Sequence, residues 1–217
     1  MSPPTTSTMR IEKTERGPKS RFLLTLEDGN TLQITEQELL SFDLTEGREL
    51  EEETLVALRA SSALSLAKAQ AAALIGRRAL SRQDLIRKLT EKGTAPEDAQ
   101  AAANWLTEIG ALDDAAYAAL VVRSCAAAGY GPARYRDKLY RAGIPKELWE
   151  DAMAQAPDPD ELIGRYLAGR LRGGASDPRE LRRAADALCR RGFAWDGIRR
   201  ALKEYADNDE WKEDNGL

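Results

Sequence analysis

Leu89-Thr-Glu-Lys-Gly93 is followed along the chain by two segments of the same form, Leu139-Tyr-Arg-Ala-Gly143 and Leu188-Cys-Arg-Arg-Gly192. The three glycines are spaced 50 and 49 residues apart. At the sixth and tenth positions after each glycine stand Ala99 with Ala103, Trp149 with Met153, and Ile198 with Leu202. Such an i, i+4 pair is typical of the inward face of a helix. Because this register is kept three times, the sequence predicts a tandem helical repeat.

Helix start and stop signals divide each repeat into three helices. Each repeated glycine comes just after a predicted last turn, where a left-handed residue commonly ends a helix. Helix starts are indicated by Pro132 and Pro178, by restarts at Pro96, Pro145 and Ala194-Trp195, by the capping pairs Ser81 with Asp84 and Asp177 with Glu180, and by caps at Asp113 and Asp114. We place the repeats at residues 64–112, 113–156 and 158–206. Each is too small to bury its apolar faces alone, so we expect stacked neighbours in an elongated array.

The N-terminal part of the chain carries β signals instead. Met9–Glu15, Arg21–Glu27 and Thr31–Ile34 are rich in β-prone residues and are separated by turn sequences, which predicts an antiparallel meander. Thr35 with Glu38 then forms a predicted capping box for a short helix over 36–40. The predicted fold is therefore mainly α, with three tandem three-helix repeats preceded by a small N-terminal β-meander module at residues 9–60. Residues 1–8 are interpreted as a disordered lead-in and 207–217 as an acidic tail.

The composition argues against an enzyme. No histidine occurs among the 217 residues, which removes the commonest general base and the commonest transition-metal ligand. Neither a glycine-rich phosphate loop nor a nucleophile elbow is present. We therefore expect no catalytic residues, no cofactor and no metal. Cys125 and Cys189 lie far apart on helical patterns, and we expect both to be buried thiols.

The hydropathy pattern predicts a cytoplasmic protein without membrane contact. The longest apolar stretch, around residues 115–122, is far too short to cross a bilayer. The N-terminal residues lack the apolar core of a secretory signal.

Charge is distributed unevenly behind the net value of −4. Acidic residues cluster at 46–53 and 207–214, whereas arginines concentrate in the middle and last third, which predicts a basic contact surface. The candidate partner-binding or DNA-binding residues are Arg77, Arg78, Arg82, Tyr130, Arg134, Arg136, Lys138, Arg141, Arg190, Arg191, Arg199 and Arg200. These cations either contact phosphates and carboxylates of a partner or form solvated helix surface, with some favoured at helix C-termini.

The aromatic residues leave similar alternatives. Tyr130, between two glycines, is either an exposed interface anchor or a turn aromatic that covers a helix junction. Trp105, Trp149 and Trp195 fall on helical positions near the repeat boundaries, and we expect them to pack in the core.

Several of these segments together resemble the RecX family, the bacterial regulators of the RecA recombinase. The similar segments are Arg77-Arg78-Ala-Leu-Ser81-Arg82-Gln-Asp84-Leu85-Ile-Arg-Lys-Leu89, Ala111-Leu112-Asp113-Asp114-Ala-Ala-Tyr117-Ala118, Gly129-Tyr130-Gly131-Pro132-Ala-Arg134, Leu139 to Gly143-Ile144, and Arg190-Arg191-Gly192-Phe193. With the N-terminal meander, the resemblance spans about residues 9–206. Two features depart from the family: Thr94-Ala95, where it usually has an aromatic residue, and the acidic tail.

The resemblance implies a regulator without enzymatic activity. Such a protein binds in the helical groove of the RecA–DNA filament, limits strand exchange and co-protease activity, and binds DNA weakly without sequence preference. We expect it to act as a monomer. The alternative is a stand-alone nucleic-acid-binding protein or a helical-repeat adaptor, although the sequence pI of about 5.2 speaks against a simple DNA binder.

Overall fold

The computed structural model describes residues 8–171 and 178–214, with residues 206–214 described as backbone only. The chain forms two compact units, one comprising residues up to 80 with 84–112, the other comprising 81–83 with 113 onward. The first contains β1 (Thr8–Arg16), β2 (Phe22–Leu26), β3 (Thr31–Ile34), α1 (Glu36–Ser41), β4 (Glu49–Glu51), α2 (Glu52–Ile75), α4 (Pro96–Glu108) and all but the start of α3 (Arg82–Thr90).

The second unit contains α5 (Asp114–Ala127), α6 (Pro132–Arg141), α7 (Trp149–Ala154), α8 (Pro159–Arg170), α9 (Pro178–Arg190) and α10 (Trp195–Asp214), with a 3-10 turn at Lys146–Leu148. The mainly helical fold behind a small N-terminal sheet, as predicted from the sequence, is confirmed. Most of the predicted lead-in and the residue Asp177 of one predicted capping pair lie outside the described residues. The acidic tail after residue 206 continues α10 as far as Asp214.

The four strands of the first unit form one antiparallel sheet in the order β3-β2-β1-β4. Alternate residues of a strand face opposite sides, and Leu24, Leu26 and Ile34 are fully buried on one of them. The three predicted strands are confirmed, whereas β4 was not predicted. This strand has only three residues, two of them glutamates, and it forms by pairing with the outer edge of β1, as in Met9 opposite Leu50. A short strand that depends on its partner leaves no local signal in the sequence.

The predicted capping box at the start of α1 is also confirmed. The Thr35 hydroxyl accepts from the backbone N–H of Glu38 at 3.1 Å, and the Glu38 carboxylate accepts from the backbone N–H of Thr35 at 2.7 Å. The same carboxylate accepts hydrogen bonds from Ser61 and Ser65 of α2 at 2.7 and 3.3 Å. Glu38 thereby joins α1 to α2 as a buried charge with several donors.

A single continuous helix, α2, serves both the sheet and the first repeat. Near its start Leu55 and Leu58 pack in the core of the sheet, and further along Ala67 and Ala71 pack in the core that includes α4. Small side chains on both helices permit close approach. The boundary that the sequence placed between residues 60 and 64 falls inside this helix.

Repeats 2 and 3 share one hydrophobic core in the second unit. Its buried members include Val122 of α5, Leu139 of α6, Leu167 of α8, Leu188 of α9 and Ile198 of α10. A shared core is what the small size of each repeat leads one to expect, because one three-helix repeat cannot bury its apolar faces alone.

The repeated glycines end their helices as predicted. Gly93, Gly143 and Gly192 follow α3, α6 and α9 with φ of 89°, 66° and 90°, a conformation that side chains disfavour. The apolar pair after each glycine faces a core: Ala99, Ala103 and Ile198 are fully buried, while Trp149, Met153 and Leu202 pack against the shared core. The predicted repeat register is confirmed.

Two expectations about buried side chains are wrong. Trp195 is 55% exposed at the first position of α10, because Phe193 and Ile198 on either side of it occupy the core there. Cys189 is exposed, since the preceding residue on α9, Leu188, faces the core and the next residue is rotated by about 100°. Trp105 and Trp149 do pack against the cores, and Cys125 is buried.

Candidate partner-binding surface

The second helix of repeat 2, α6, has one buried and one basic face. Pro132 occupies the first turn, where a missing N–H costs nothing. Tyr135 and Leu139, four residues apart, are buried in the shared core. This arrangement turns the remaining positions to solvent, where four exposed cations stand beside one half-buried carboxylate: Arg134, Arg136, Lys138 and Arg141, with Asp137. The helix therefore presents a net positive face.

The cations of α6 differ in how far they are held by the protein itself. Asp137 lies 3.0 Å from Nε of Arg141 and 3.7 Å from Nη1 of Arg134. Exposed pairs of this kind are worth about 0.3–0.5 kcal/mol each, so both arginines stay available. Within the described residues, Arg136 and Lys138 make no hydrogen bond or ion pair. These two are the freest cations of the helix.

Tyr140 is a surface residue that sequence reasoning missed. Its side chain is 71% exposed, and it lies one turn after Arg136 on the same side of α6. A large aromatic exposed to this extent, next to an arginine, is typical of a contact residue. The 3.6-residue period of the helix places Tyr140 away from Tyr135 and Leu139, so its exposure could have been predicted from the sequence pattern.

The start of α6 rests on the turn that ends α9. The backbone N–H of Gly131 donates to the carbonyl oxygen of Arg191 at 2.8 Å, and that of Ala133 donates to the carbonyl of Gly192 at 3.1 Å. These bonds satisfy N–H groups that the first turn of a helix leaves free. The junction places the candidate residues of α6 beside the end of α9, where Arg190 is exposed.

Arg191, unlike its neighbour Arg190, is held by contacts within the protein, and its part in partner binding stays a prediction. Its guanidinium donates to the carbonyl oxygen of Gly129 at 3.1 Å and lies 4.9 Å from the centre of the Tyr166 ring. The side chain is half-buried, and it ties α9 to the turn before α6 and to α8. Arg191 therefore has an internal role.

Tyr130 lies where a turn aromatic would cover a helix junction, which is the second of its two alternatives. It is half-buried and packs against the shared core, with the Arg134 guanidinium 5.8 Å from its ring centre. Its carbonyl accepts a hydrogen bond from the hydroxyl of Tyr135 at 2.7 Å. Burial raises the pKa of Tyr135, whose hydroxyl stays a donor. This tyrosine pair covers the junction between α5 and α6.

The remaining candidates lie elsewhere. Arg199 pairs with Asp196 at 3.4 Å, and Arg200 pairs with Asp160 of α8, so both arginines of α10 form ion pairs with carboxylates of the protein itself. Arg77 and Arg78 are exposed in the first unit after α2, and Arg82 is half-buried at the start of α3, where its backbone N–H donates to Asp114 at 2.8 Å.

Two further exposed arginines on α9, Arg182 and Arg183, escaped the sequence analysis. They lie opposite the buried Ala184, Ala185 and Leu188 and extend the basic character of the helix that ends at Arg190. The basic surface, as the term is used below, consists of Arg134, Arg136, Lys138, Tyr140 and Arg141 of α6 with Arg190 of α9. Its chemistry suits an anionic partner, either phosphate or carboxylate.

The described part of the chain offers few other functional groups. No cluster of three or more potential metal-ligating side chains occurs among these residues. In the same ranges, no helix combines the length and apolar character needed to cross a bilayer. The fold and surface define a tandem three-helix repeat protein with a basic face on α6 and α9.

Comparisons with known proteins agree on one family. The family model described as RecX, second three-helix domain, matches residues 113–153, which include α6. The regulatory protein RecX of Stenotrophomonas maltophilia (strain R551-3) is 42% identical over 142 residues, covering 64% of this chain and 86% of that protein. The regulatory protein RecX of Xanthomonas axonopodis pv. citri (strain 306) is 40% identical over 136 residues, covering 62% and 84%. The chain belongs to the RecX family.

Solved structures support the same conclusion for the fold. A crystal structure of regulatory protein RecX superposes with a TM-score of 0.69 at 25% identity, covering 90% of this chain and 99% of that one. The crystal structure of RecX from Lactobacillus salivarius gives a TM-score of 0.58 at 21% identity, covering 67% and 97%. The resemblance to the family inferred from the sequence is confirmed.

Proposed function

We propose that this protein regulates a RecA recombinase by binding in the groove of the RecA–DNA filament through the basic surface of α6 and α9. Bound there, it limits strand exchange and co-protease activity, and it does so without catalysis. The family membership supports a regulatory role, since the relatives are named regulatory proteins.

The observation that carries the proposal is the composition of α6. Four cations face solvent with one carboxylate between them, and Tyr140 stands exposed among them. Four cations against one carboxylate on a single helix face are not expected by chance in an acidic protein. The rest of the molecule carries enough acidic residues to bring the net charge to −4.

The energetic logic is that of many weak contacts on a rigid support. Each exposed arginine contributes little binding free energy alone. A set of arginines held on packed helices can bind a repeating anionic surface together, because no flexible segment has to be ordered on binding. Contacts to phosphate release counterions, so the binding to filament and to DNA weakens as salt rises.

The experiment compares binding of matched variants to RecA filaments on single-stranded DNA. The test variant carries Arg136→Glu, Lys138→Glu and Arg190→Glu, three residues without a hydrogen bond or ion pair in the described structure. The control carries the same charge change at three exposed residues elsewhere: Arg59→Glu, Lys92→Glu and Lys146→Glu. We expect the test variant to lose at least tenfold in affinity, about 1.4 kcal/mol, and the control to bind like wild type.

The outcome that contradicts the proposal is a folded test variant that binds filaments as tightly as the control. Circular dichroism and thermal unfolding of all three proteins establish that they are folded. Exposed helix positions usually change stability by about 0.5 kcal/mol or less, so folding should survive.

The second candidate function is direct binding of single-stranded nucleic acid. Tyr140 beside Arg136 favours it, because bases stack on exposed aromatics flanked by arginine. Titration of bare single-stranded DNA separates the two functions. If Tyr140→Ala abolishes binding to bare DNA and to filaments equally, DNA binding is the primary activity; loss on filaments alone favours the regulator.

A further inference from the structure

The first unit contains a cavity that the proposed function does not use. It has a volume of about 330 Å³ and lies beside the turn between β1 and β2. Its walls combine apolar and polar groups from Arg16, Gly17, Pro18, Arg21, Phe22, Leu23, Gln33 and Glu15. This volume is at the lower end of the range for ligand pockets, roughly 300–1,000 Å³, and suits one side chain or a small anion.

Arg21 is a buried charge in the wall of this cavity. Only 8% of the residue is exposed. Its Nη1 donates to the carbonyl oxygen of Gln33 at 2.9 Å and to the hydroxyl of Ser65 at 3.2 Å. Among the described residues these are its only hydrogen bonds, and no carboxylate lies within ion-pair distance of it. The Ser65 hydroxyl also donates to the Glu38 carboxylate at 3.3 Å, so this buried anion is linked to Arg21 through one hydroxyl but does not contact the guanidinium. The cost of taking the Arg21 charge out of water is therefore only partly offset within the protein.

The bonding pattern leaves one edge of the guanidinium open. Both hydrogen bonds use Nη1, so Nε and Nη2 keep their donors free. Nε and Nη2 are not enclosed atoms without a partner, because in the described part of the chain Thr14 Oγ1 is the one side-chain atom of that kind. Both nitrogens are therefore accessible to solvent. The Nε–Nη2 edge is the geometry that binds a carboxylate through two parallel hydrogen bonds.

The turn around the cavity is built to hold Arg21 in place. The backbone N–H of Gly17 donates to the carbonyl of Arg21 at 2.7 Å, and the N–H of Arg21 donates to the carbonyl of Pro18 at 3.3 Å. Between them Lys19 and Ser20 both adopt left-handed conformations, with φ of 56° and 58°. Two left-handed central residues closed by the Arg21-to-Pro18 hydrogen bond are typical of a type I′ hairpin turn, which fixes Arg21 just before β2.

We propose that this cavity binds the carboxylate of an acidic side chain, presented by a peptide segment of a protein partner. The open edge of Arg21 receives the carboxylate, Arg16 adds a positive charge to the lining, and Pro18, Phe22 and Leu23 surround the aliphatic stem. Glu15, the carboxylate in the same lining, is paired with Lys13 at 2.8 Å. The apolar wall favours a glutamate-like group over a phosphate, which has no stem to bury. The site belongs to the N-terminal module and does not depend on the basic surface.

The test follows the full-length protein by nuclear magnetic resonance, reading the Arg21 Nε–Hε signal and the amides of Gly17 and Phe22. The probes are N-acetyl-glutamate amide, its neutral counterpart N-acetyl-glutamine amide, and inorganic phosphate. We expect saturable shifts with the glutamate probe, with a Kd of roughly 1–10 mM, and no saturable shift with glutamine.

Two variants complete the design. Arg21→Lys keeps the charge and one donor towards Gln33 but removes the two-donor edge, and it should weaken glutamate binding at least about fivefold. Arg59→Gln removes an exposed arginine of the same unit and should bind like wild type. The proposal is overturned if glutamine shifts the same signals equally, if Arg21→Lys binds as well as wild type, or if phosphate binds more tightly than the glutamate probe. The wild-type probes alone decide the matter if Arg21→Lys does not fold.

Discussion

The backbone N–H of Gly131 donates to the carbonyl oxygen of Arg191 at 2.8 Å, so the first turn of α6 sits directly on the turn that ends α9. A related contact occurs where α3 begins: the Ser81 hydroxyl donates to the carbonyl of Ala142, in the turn that ends α6. In both places a group at the start of a helix donates to a backbone carbonyl in a turn that ends at a glycine. The repeated glycine thus serves the junction as well as the end of its own helix.

The junction predicts that Gly192 tolerates substitution less well than Gly93. An added Cβ at Gly192 would lie 2.8 Å from the backbone nitrogen of Arg134, whereas one at Gly93 would meet nothing within 4 Å. Both residues are left-handed, which costs an alanine about 1–2 kcal/mol. Gly93→Ala should lose that amount, and Gly192→Ala roughly 2–4 kcal/mol, because backbone must also move. Urea unfolding measures both; equal losses would contradict the steric account.

Arg190 and Arg191 should respond in opposite ways to removal. Arg191→Ala loses the bond to Gly129 and the contact with Tyr166, which together should destabilise the protein by about 1–3 kcal/mol. Arg190→Ala changes an exposed position and should alter stability by about 0.5 kcal/mol or less. Thermal unfolding of the two single variants checks this. A stable Arg191→Ala would show that its contacts contribute nothing net.

This neighbouring pair shows how far the sequence could predict the site. The local sequence was sufficient to predict where the helices end, because glycines such as Gly143 and Gly192 readily adopt the left-handed conformation that ends a helix. It was insufficient for the arginines, because a guanidinium is equally at home on a carbonyl, an aromatic ring or water. Only the packing of α9 against the turn at Gly129 distinguishes Arg191 from Arg190.

The same limit explains the other differences. β4 exists only through its pairing with β1, and the exposure of Trp195 depends on Phe193 and Ile198 filling the core first. Arg21 was not recognised as a possible binding residue, because its burial and its open edge are both tertiary properties.

Glu38 should make the stability of the protein depend on pH. Burial raises its pKa, but hydrogen bonds from Thr35, Ser61 and Ser65 outweigh that effect and hold the pKa below its ordinary value of 4.5. A carboxyl whose pKa is lower in the folded than in the unfolded chain stabilises the fold above about pH 4.5. That contribution is lost as the pH falls through the folded pKa.

The variant Glu38→Gln measures this contribution. It should be less stable than wild type by about 1–3 kcal/mol at pH 7, since charged hydrogen bonds are lost. The difference should shrink below pH 4.5. Urea unfolding of wild type, Glu38→Gln and the exposed control Glu36→Gln between pH 3 and 7 tests the prediction. A difference between wild type and Glu38→Gln that stays constant down to pH 3 would contradict it.

The two thiols should react at different rates. Cys189 is exposed, whereas Cys125 is buried, and burial raises the pKa of its thiol. Since the thiolate is the reactive form, a chromogenic disulfide reagent should modify Cys189 at least about tenfold faster. The single variants Cys189→Ser and Cys125→Ser assign the two phases. Rapid labelling of the folded Cys189→Ser variant would show that the interior around Cys125 opens readily.

Inhibition of RecA-promoted strand exchange tests most directly whether the protein acts through the basic surface of α6 and α9. The assay compares wild type with a triple variant and a matched control. The triple variant carries Arg136→Glu, Lys138→Glu and Arg190→Glu, and the control carries Arg59→Glu, Lys92→Glu and Lys146→Glu. Arg191 is left unchanged, since its replacement would disturb the fold. If the basic surface of α6 and α9 contacts the filament, wild type and control inhibit at similar concentrations, and the triple variant requires at least about ten times more protein while remaining folded. A folded triple variant that inhibits at the wild-type concentration would show that the basic surface is not the contact surface.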